Sequence, residues 1–175
     1  MKQENVPKLT LRYEGLFDFD GLYAAITDWA KNYNYMWHEV EYKHKFPSPK
    51  GAEQEFRWEL TKKISEFVDY KILVTVHVWD MSEVEIDVGG RKKSLSNARV
   101  SMVMEGSFTL DRQDIFEKGR FGELFGKWYD KLFHREAAEY YDQLFYRMQG
   151  LHAVVKKYFD MQTKKHIYKG YLGEN

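Results

Sequence analysis

The sequence predicts an α+β protein. It reads as a single antiparallel sheet of about five or six strands, with helices on one face and a long helical region toward the C-terminus. Two patterns carry that prediction. Several stretches alternate apolar and polar residues, as strands do when one face is buried and the other is wet. From about Asp111 to Met161 the apolar residues recur every three or four positions instead, which is helical spacing. After a first strand and a helix the strands follow one another as a meander, and no linker, repeat or low-complexity segment interrupts residues 1–175.

The elements follow in order. "KLTLRYEG" places Leu9, Leu11 and Tyr13 on one face of a strand. "DGLYAAITDWAKNY" spaces Leu22, Ala25, Ile26 and Trp29 for a helix of about three turns. "MWHEVEYKHKF" alternates again, with Met36, His38, Val40, Tyr42, His44 and Phe46 inward and Trp37 outward, before "PSPKG" breaks the chain. Three longer strands turn Phe56, Trp58, Leu60, then Tyr70 to Val78, then Ala98 to Leu110 inward at every second position. Gly89-Gly90 within "VEIDVGGRKKSL" predicts a hairpin turn. In the helical region, Phe121, Phe125, Trp128, Tyr129 and Leu132 form one stripe. Phe133, Ala137, Tyr140, Leu144, Met148, Leu151, Val155 and Tyr158 form another, offset by roughly a third of a turn. Either the helix breaks near "LFHREA", or one helix of roughly 60 Å changes the surface it packs against. Residues 163–175 read as a frayed tail.

Composition narrows the function classes. Lys+Arg and Asp+Glu balance at 27 each, so the chain lacks the positive excess that phosphate backbones draw on, and nucleic acid is disfavoured as a partner. With no cysteine there is no disulfide, thiol catalysis or thiolate metal site. No apolar run approaches a bilayer span, and "MKQENVPKL" has no signal-peptide core, so the expected location is cytoplasmic. Aromatic residues are unusually frequent at 17%, which implies either a core of large side chains or an adhesive surface.

No motif commits the chain to catalysis. "FDFDG" at 17–21 is similar to the "DxDG" nucleophile motif of haloacid dehalogenase-type phosphatases, but the context of that motif is missing. It requires an apolar parallel strand before the first Asp, and "LRYEGLF" supplies Arg12, Glu14 and Gly15. Helix capping accounts for the same letters, with Asp20 as the cap and Asp18 favourable at the positive end of the helix dipole. His38 and His44 are separated by about 20 Å of strand and cannot share a metal. "HREAAE" lacks the second histidine of a zinc helix. Lysines and tyrosines interleave in "KKYFDMQTKKHIYKGYLGEN", which suits single-stranded nucleic acid but equally a helix end. No catalytic residue, metal ligand or cofactor is assigned. An enzyme built on His38 with a Tyr or Glu is a distant third reading.

Two function classes remain. In the first, the protein is a non-enzymatic interaction or assembly module, most simply a homo-oligomer. Its contact residues would be Phe121, Phe125, Trp128 and Leu132, with Trp79, Leu73, Val103 and Trp37 on the outer sheet face. In the second it binds an apolar small molecule. The strand–helix–meander–helix order is similar to the helix-grip fold of lipid-transfer and polyketide-cyclase domains, although those carry two short helices after the first strand and this chain has one. That resemblance implies a cavity lined by inward His38, Tyr42, Trp58, Met102 and Met104.

Overall fold

The computed structural model describes the backbone of residues 2–48, 51–88, 91–110 and 121–159, and their side chains apart from positions 2, 45–48, 86, 88, 91 and 121–135. The chain forms β1 (Lys2–Phe17), α1 (Phe19–Asn32), β2 (Met36–Ser48), β3 (Gly51–Lys63), β4 (Val68–Val88), β5 (Arg91–Leu110) and α2 (Phe121–Tyr158). All neighbouring strands pair antiparallel in the order β1-β5-β4-β3-β2, and the sheet stays open. Each step reverses direction, so β1 and β2 run the same way along opposite edges. The crossing between them falls to α1. Its 14 residues give about 21 Å of helix, close to the roughly 19 Å between the outer strands of a five-stranded sheet.

Local chemistry sets the ends of α1. The sequence reading made Asp20 the cap, but the cap is Asp18: its backbone is extended, and its Oδ1 accepts from Gly21 N at 2.9 Å, while Asp20 sits in the first turn. That hydrogen bond, joined by Lys93 at 2.9 Å, holds the Asp18 carboxyl below the usual carboxylate range. At the other end Asn34 turns left-handed (φ 58), and Tyr35 N reaches back to Ala30 O at 2.7 Å.

Both helices lie on the inner face. Ile72, Val74, Val76, Val78, Met102 and Met104 are wholly buried beneath Leu22 and Ile26 of α1 and Leu144, Met148, Leu151 and Val155 of α2. α2 is one continuous helix of 38 residues, about 57 Å long, and does not break at "LFHREA". Its buried series Ala137, Leu144, Met148, Leu151 and Val155 follows the second sequence stripe. Phe159 ends the layer, stacked on Tyr13 at 4.8 Å and tilted against Phe17 at 5.0 Å. The frayed tail expected at 163–175 lies outside the described residues.

Two irregularities decide which side chains face inward. In β2 the pairing shifts between Glu39 and Glu41. Trp37 lies opposite Leu60 and Glu39 opposite Trp58 on the inner face; beyond the extra residue Val40, Glu41 lies opposite Arg57 on the outer face and Tyr42 opposite Phe56 on the inner. One added residue flips every side chain of a strand, so strict alternation fails here. Met36 and His38, expected inside, are outside, and Trp37, expected outside, packs inward. In β4 the shift lies between Trp79 and Ser82, where Asp80 has φ 55. The "VEIDVGG" segment is the far end of β4, and Val88 pairs with Arg91 of β5, in keeping with the hairpin read around Gly89-Gly90, two residues that lie outside the described ones.

The helix layer approaches the sheet closely at Gly106. A Cβ there would lie 2.2 Å from Met148 Sδ and 2.7 Å from Val6 Cγ2. The Gly106→Ala variant should lose about 1–3 kcal/mol by overpacking, measured by urea unfolding. Unchanged stability would mean that α2 can lift freely.

Burial also shapes the alkaline limit. Tyr35 is pushed up to about 12 by burial, offset in part by Arg147, and Tyr70 is raised further by burial and by Tyr35 and Tyr140. Tyr70 meanwhile donates to Tyr140 O of α2 at 3.1 Å. Both groups are raised above the unfolded tyrosine value near 10, so their contribution is whole below that pH and is lost as pH climbs through the folded value. Circular dichroism should record unfolding between about pH 10 and 12, moved to higher pH in Tyr35→Phe. A Tyr35→Phe profile identical to wild type would contradict this.

Candidate functional site

Three of the predicted cavity residues come together on the inner face and two do not. Trp58 is 1% exposed, and Met102 and Met104 are fully buried, packed as core beneath the helices. His38 lies opposite Glu59 on the outer face, and Tyr42 sits at the inner rim, 51% exposed. Among the described residues, the depressions at the surface are lined by none of the five. Of the predicted contact residues, the side chains of Phe121, Phe125, Trp128 and Leu132 lie outside the described residues. Trp79, Leu73 and Val103 do face outward, half-buried. Leu73 and Val103 are diagonal neighbours, since Val103 pairs with Thr75. Trp79 lies three rows from Leu73 along β4, so they form no continuous patch.

Trp79 instead belongs to a polar chain across the outer face. Its ring stacks on His77 at 3.9 Å; His77 Nε2 meets Glu53 Oε1 at 2.7 Å. Arg99 lies 5.9 Å from the Trp79 ring and donates through Nε and Nη2 to Asp80 Oδ2 at 2.9 and 2.7 Å. The left-handed Asp80 of the bulge is what brings that carboxylate to Arg99. Gly51 makes room for it, because a Cβ there would come within 2.6 Å of the Asp80 carbonyl carbon. An open depression of ≈ 450 Å³ beside Trp79 is bordered by Arg12, Glu14, Arg99 and Ser101. Elsewhere on this face Lys71 meets Glu59 at 2.6 Å and Lys43 meets Glu41 at 2.8 Å. Charges of both signs interleave across the strands, so the face offers no field of one sign to a polyanion.

The edge at β2 is different in kind. Behind it runs a ladder of rings: Tyr42 to Phe56 at 5.0 Å, Phe56 to Trp58 at 5.6 Å, and Tyr23 edge-on to both Trp37 and Trp58 at 5.4 and 5.6 Å. Into this apolar group the β2 bulge turns one carboxylate. Glu39 Oε2 accepts from Trp58 Nε1 at 3.0 Å. Burial, with Glu39 adding negative charge, raises the Tyr23 phenol above its ordinary value. Trp37 Nε1 is buried without a partner among the described residues. In front of the ladder, Met36, Val40 and Tyr42 expose 64%, 48% and 51% of their surface along an unpaired strand edge. Sequence reading missed Glu39 and the edge itself. The alternation "EVEYKHK" was visible, but neither the bulge nor the strand order could be read from it.

The Glu39–Trp58 bond gives a direct test of the bulge. Glu39→Ala would leave the indole N–H of a buried Trp without its acceptor and should cost about 1–3 kcal/mol by chemical denaturation, whereas Glu39→Gln, which keeps an acceptor oxygen, should cost less. Equal losses would show that the carboxylate matters for some other reason.

Among the described residues no three of His, Cys, Asp and Glu converge to hold a metal ion, and no helix is long and apolar enough to cross a membrane. No family model matches the chain, and no curated protein matches it either.

Proposed function

We propose that the protein is a non-enzymatic interaction module that associates with copies of itself, with the first half of α2 as its contact surface. The continuity of α2 carries this reading. Its described buried series, Ala137 to Val155, follows the second of the two sequence stripes, and about 16 helical residues, roughly 24 Å, come before it. On an unbroken helix the stripe of Phe121, Phe125, Trp128 and Leu132 stands about a third of a turn away from the series that covers the sheet. Two stripes out of phase on one helix suit two different surfaces, and an apolar stripe of that size suits a partner.

The strand order, with α2 across the inner face, favours a helix-grip-type binder of apolar small molecules as the second reading. It is weaker, because Met102, Met104 and Trp58 fill the space where the ligand would lie and Met148 reaches Gly106.

Native mass spectrometry separates the two. The first reading expects a defined multiple of 21.0 kDa that falls in Trp128→Glu and Leu132→Glu while circular dichroism stays native. A monomer before and after substitution overturns it. A monomer that sheds a small-molecule mass on denaturation supports the second.

A further inference from the structure

We infer that the free edge of β2 pairs antiparallel with β2 of a second copy of this chain, about a two-fold axis at Tyr42. The inference rests on the self-association reading above, but it uses a separate surface and separate observations.

β2 is bonded to β3 on one side only, and its other row of backbone donors and acceptors has no strand partner among the described residues. Edge strands usually discourage such pairing with charge. Here the charge reverses in sign along the strand. In "EVEYKHK", from Glu39 to Lys45, acidic residues precede Tyr42 and basic ones follow it. A strand with one sign of charge repels its copy. A strand whose sign inverts about its midpoint attracts its copy, and only in the antiparallel sense.

The faces agree as well as the charges. A two-fold axis perpendicular to the sheet keeps inner side chains beside inner ones. Glu41 and Lys43 are both outer residues, opposite Arg57 and Glu55 of β3, so each Glu41 meets the Lys43 of the other copy. Tyr42 is inner and meets its own equivalent at the axis, two exposed phenol rings side by side. Val40 remains the extra residue in either ladder. Beyond it Glu39 and His44, both inner, fall opposite one another. The result is an isologous contact in which exposed Val40 and Tyr42 are covered and the two five-stranded sheets become one of ten. The opposite edge does not offer this. β1 is interrupted at a bulge by Pro7, which has no N–H for any ladder.

Charge reversal supplies the test. Lys43→Glu places Glu opposite Glu twice per dimer, and Glu41→Lys places Lys opposite Lys twice. Each variant alone should weaken self-association by about tenfold or more in sedimentation equilibrium. Mixed together, the two should form a heterodimer, because every Glu of one chain then faces a Lys of the other, and native mass spectrometry would resolve it once one variant is uniformly isotope-labelled. The chain contains no cysteine, so Tyr42→Cys should yield one disulfide-linked dimer on mild oxidation, while His38→Cys should not. If wild type associates, both charge variants associate equally well, and Trp128→Glu dissociates it, the edge inference falls and the self-association reading stands. A monomeric wild type at all accessible concentrations overturns both.

Discussion

The fold depends on how closely α2 can approach β5, and that distance is set by a missing side chain. Gly106 lies on the inner parity of its strand between Met104 and Phe108, both fully buried. Where any other residue would hold the helix off, Met148 drops into the gap and touches the sheet, with Val6 of β1 closing it from the side. Leu144 and Leu151, one turn to either side, are buried in the same core as Ile72, Val74 and Met102. Because interiors are packed to crystal density, this one contact fixes the height of the whole helix layer. Met102, Met104 and Trp58 are packed into the core that this contact closes.

A second constraint acts within the sheet. Three strands carry extra residues, β1 at Val6–Leu9, β2 at Glu39–Glu41 and Lys45–Ser48, and β4 at Trp79–Ser82. An insertion exchanges the two faces of the strand beyond it, and two of these create the polar contacts described above. The insertion in β2 turns Glu39 toward Trp58. The one in β4 turns Asp80 toward Arg99 and leaves Trp79 clasped between His77 and that guanidinium. Both are paired arrangements that hold strands in register, with no exposed group left poised as a base or nucleophile.

These constraints explain what the sequence made legible. Period-two alternation in β3, β4 to Val78, and β5 from Ala98 onward is uninterrupted, and there Trp58, Ile72 to Val78, Met102 and Met104 lie inside as read. In β2 the alternation looks equally regular for eleven letters, yet Val40 breaks its phase, and Met36, Trp37 and His38 were each assigned to the wrong face. The letters cannot reveal this, because a bulge is fixed by what the neighbouring strand does: Arg57 must sit between Phe56 and Trp58, and β2 accommodates by spending two residues against it. Asp18 and Asp20 were separated by the same kind of detail, since both can cap a helix and only the course of β1 into Phe17 decides which backbone is extended. The stripe in α2 was legible as periodicity, and its phase shift as a third of a turn, but continuity of the helix required the fold.

Beside the α2 surface proposed above, the boundaries of the sheet offer a second place for contact. The sheet is open, so it has two edges, and their chemistry differs. β1 is spoiled for pairing by Pro7, a common way of blunting an edge. On β2 the bulge at Val40 is the corresponding device, but it is an incomplete one. A bulge that moves the phase by one residue, in a strand whose charges invert about Tyr42, leaves Glu41, Tyr42 and Lys43 in regular alternation immediately beyond it. The same insertion that delivers Glu39 to the indole of Trp58 therefore anchors the strand from behind while leaving its other side straight, charged and exposed. Rigid backing with an unsatisfied front is what distinguishes a docking edge from a frayed one.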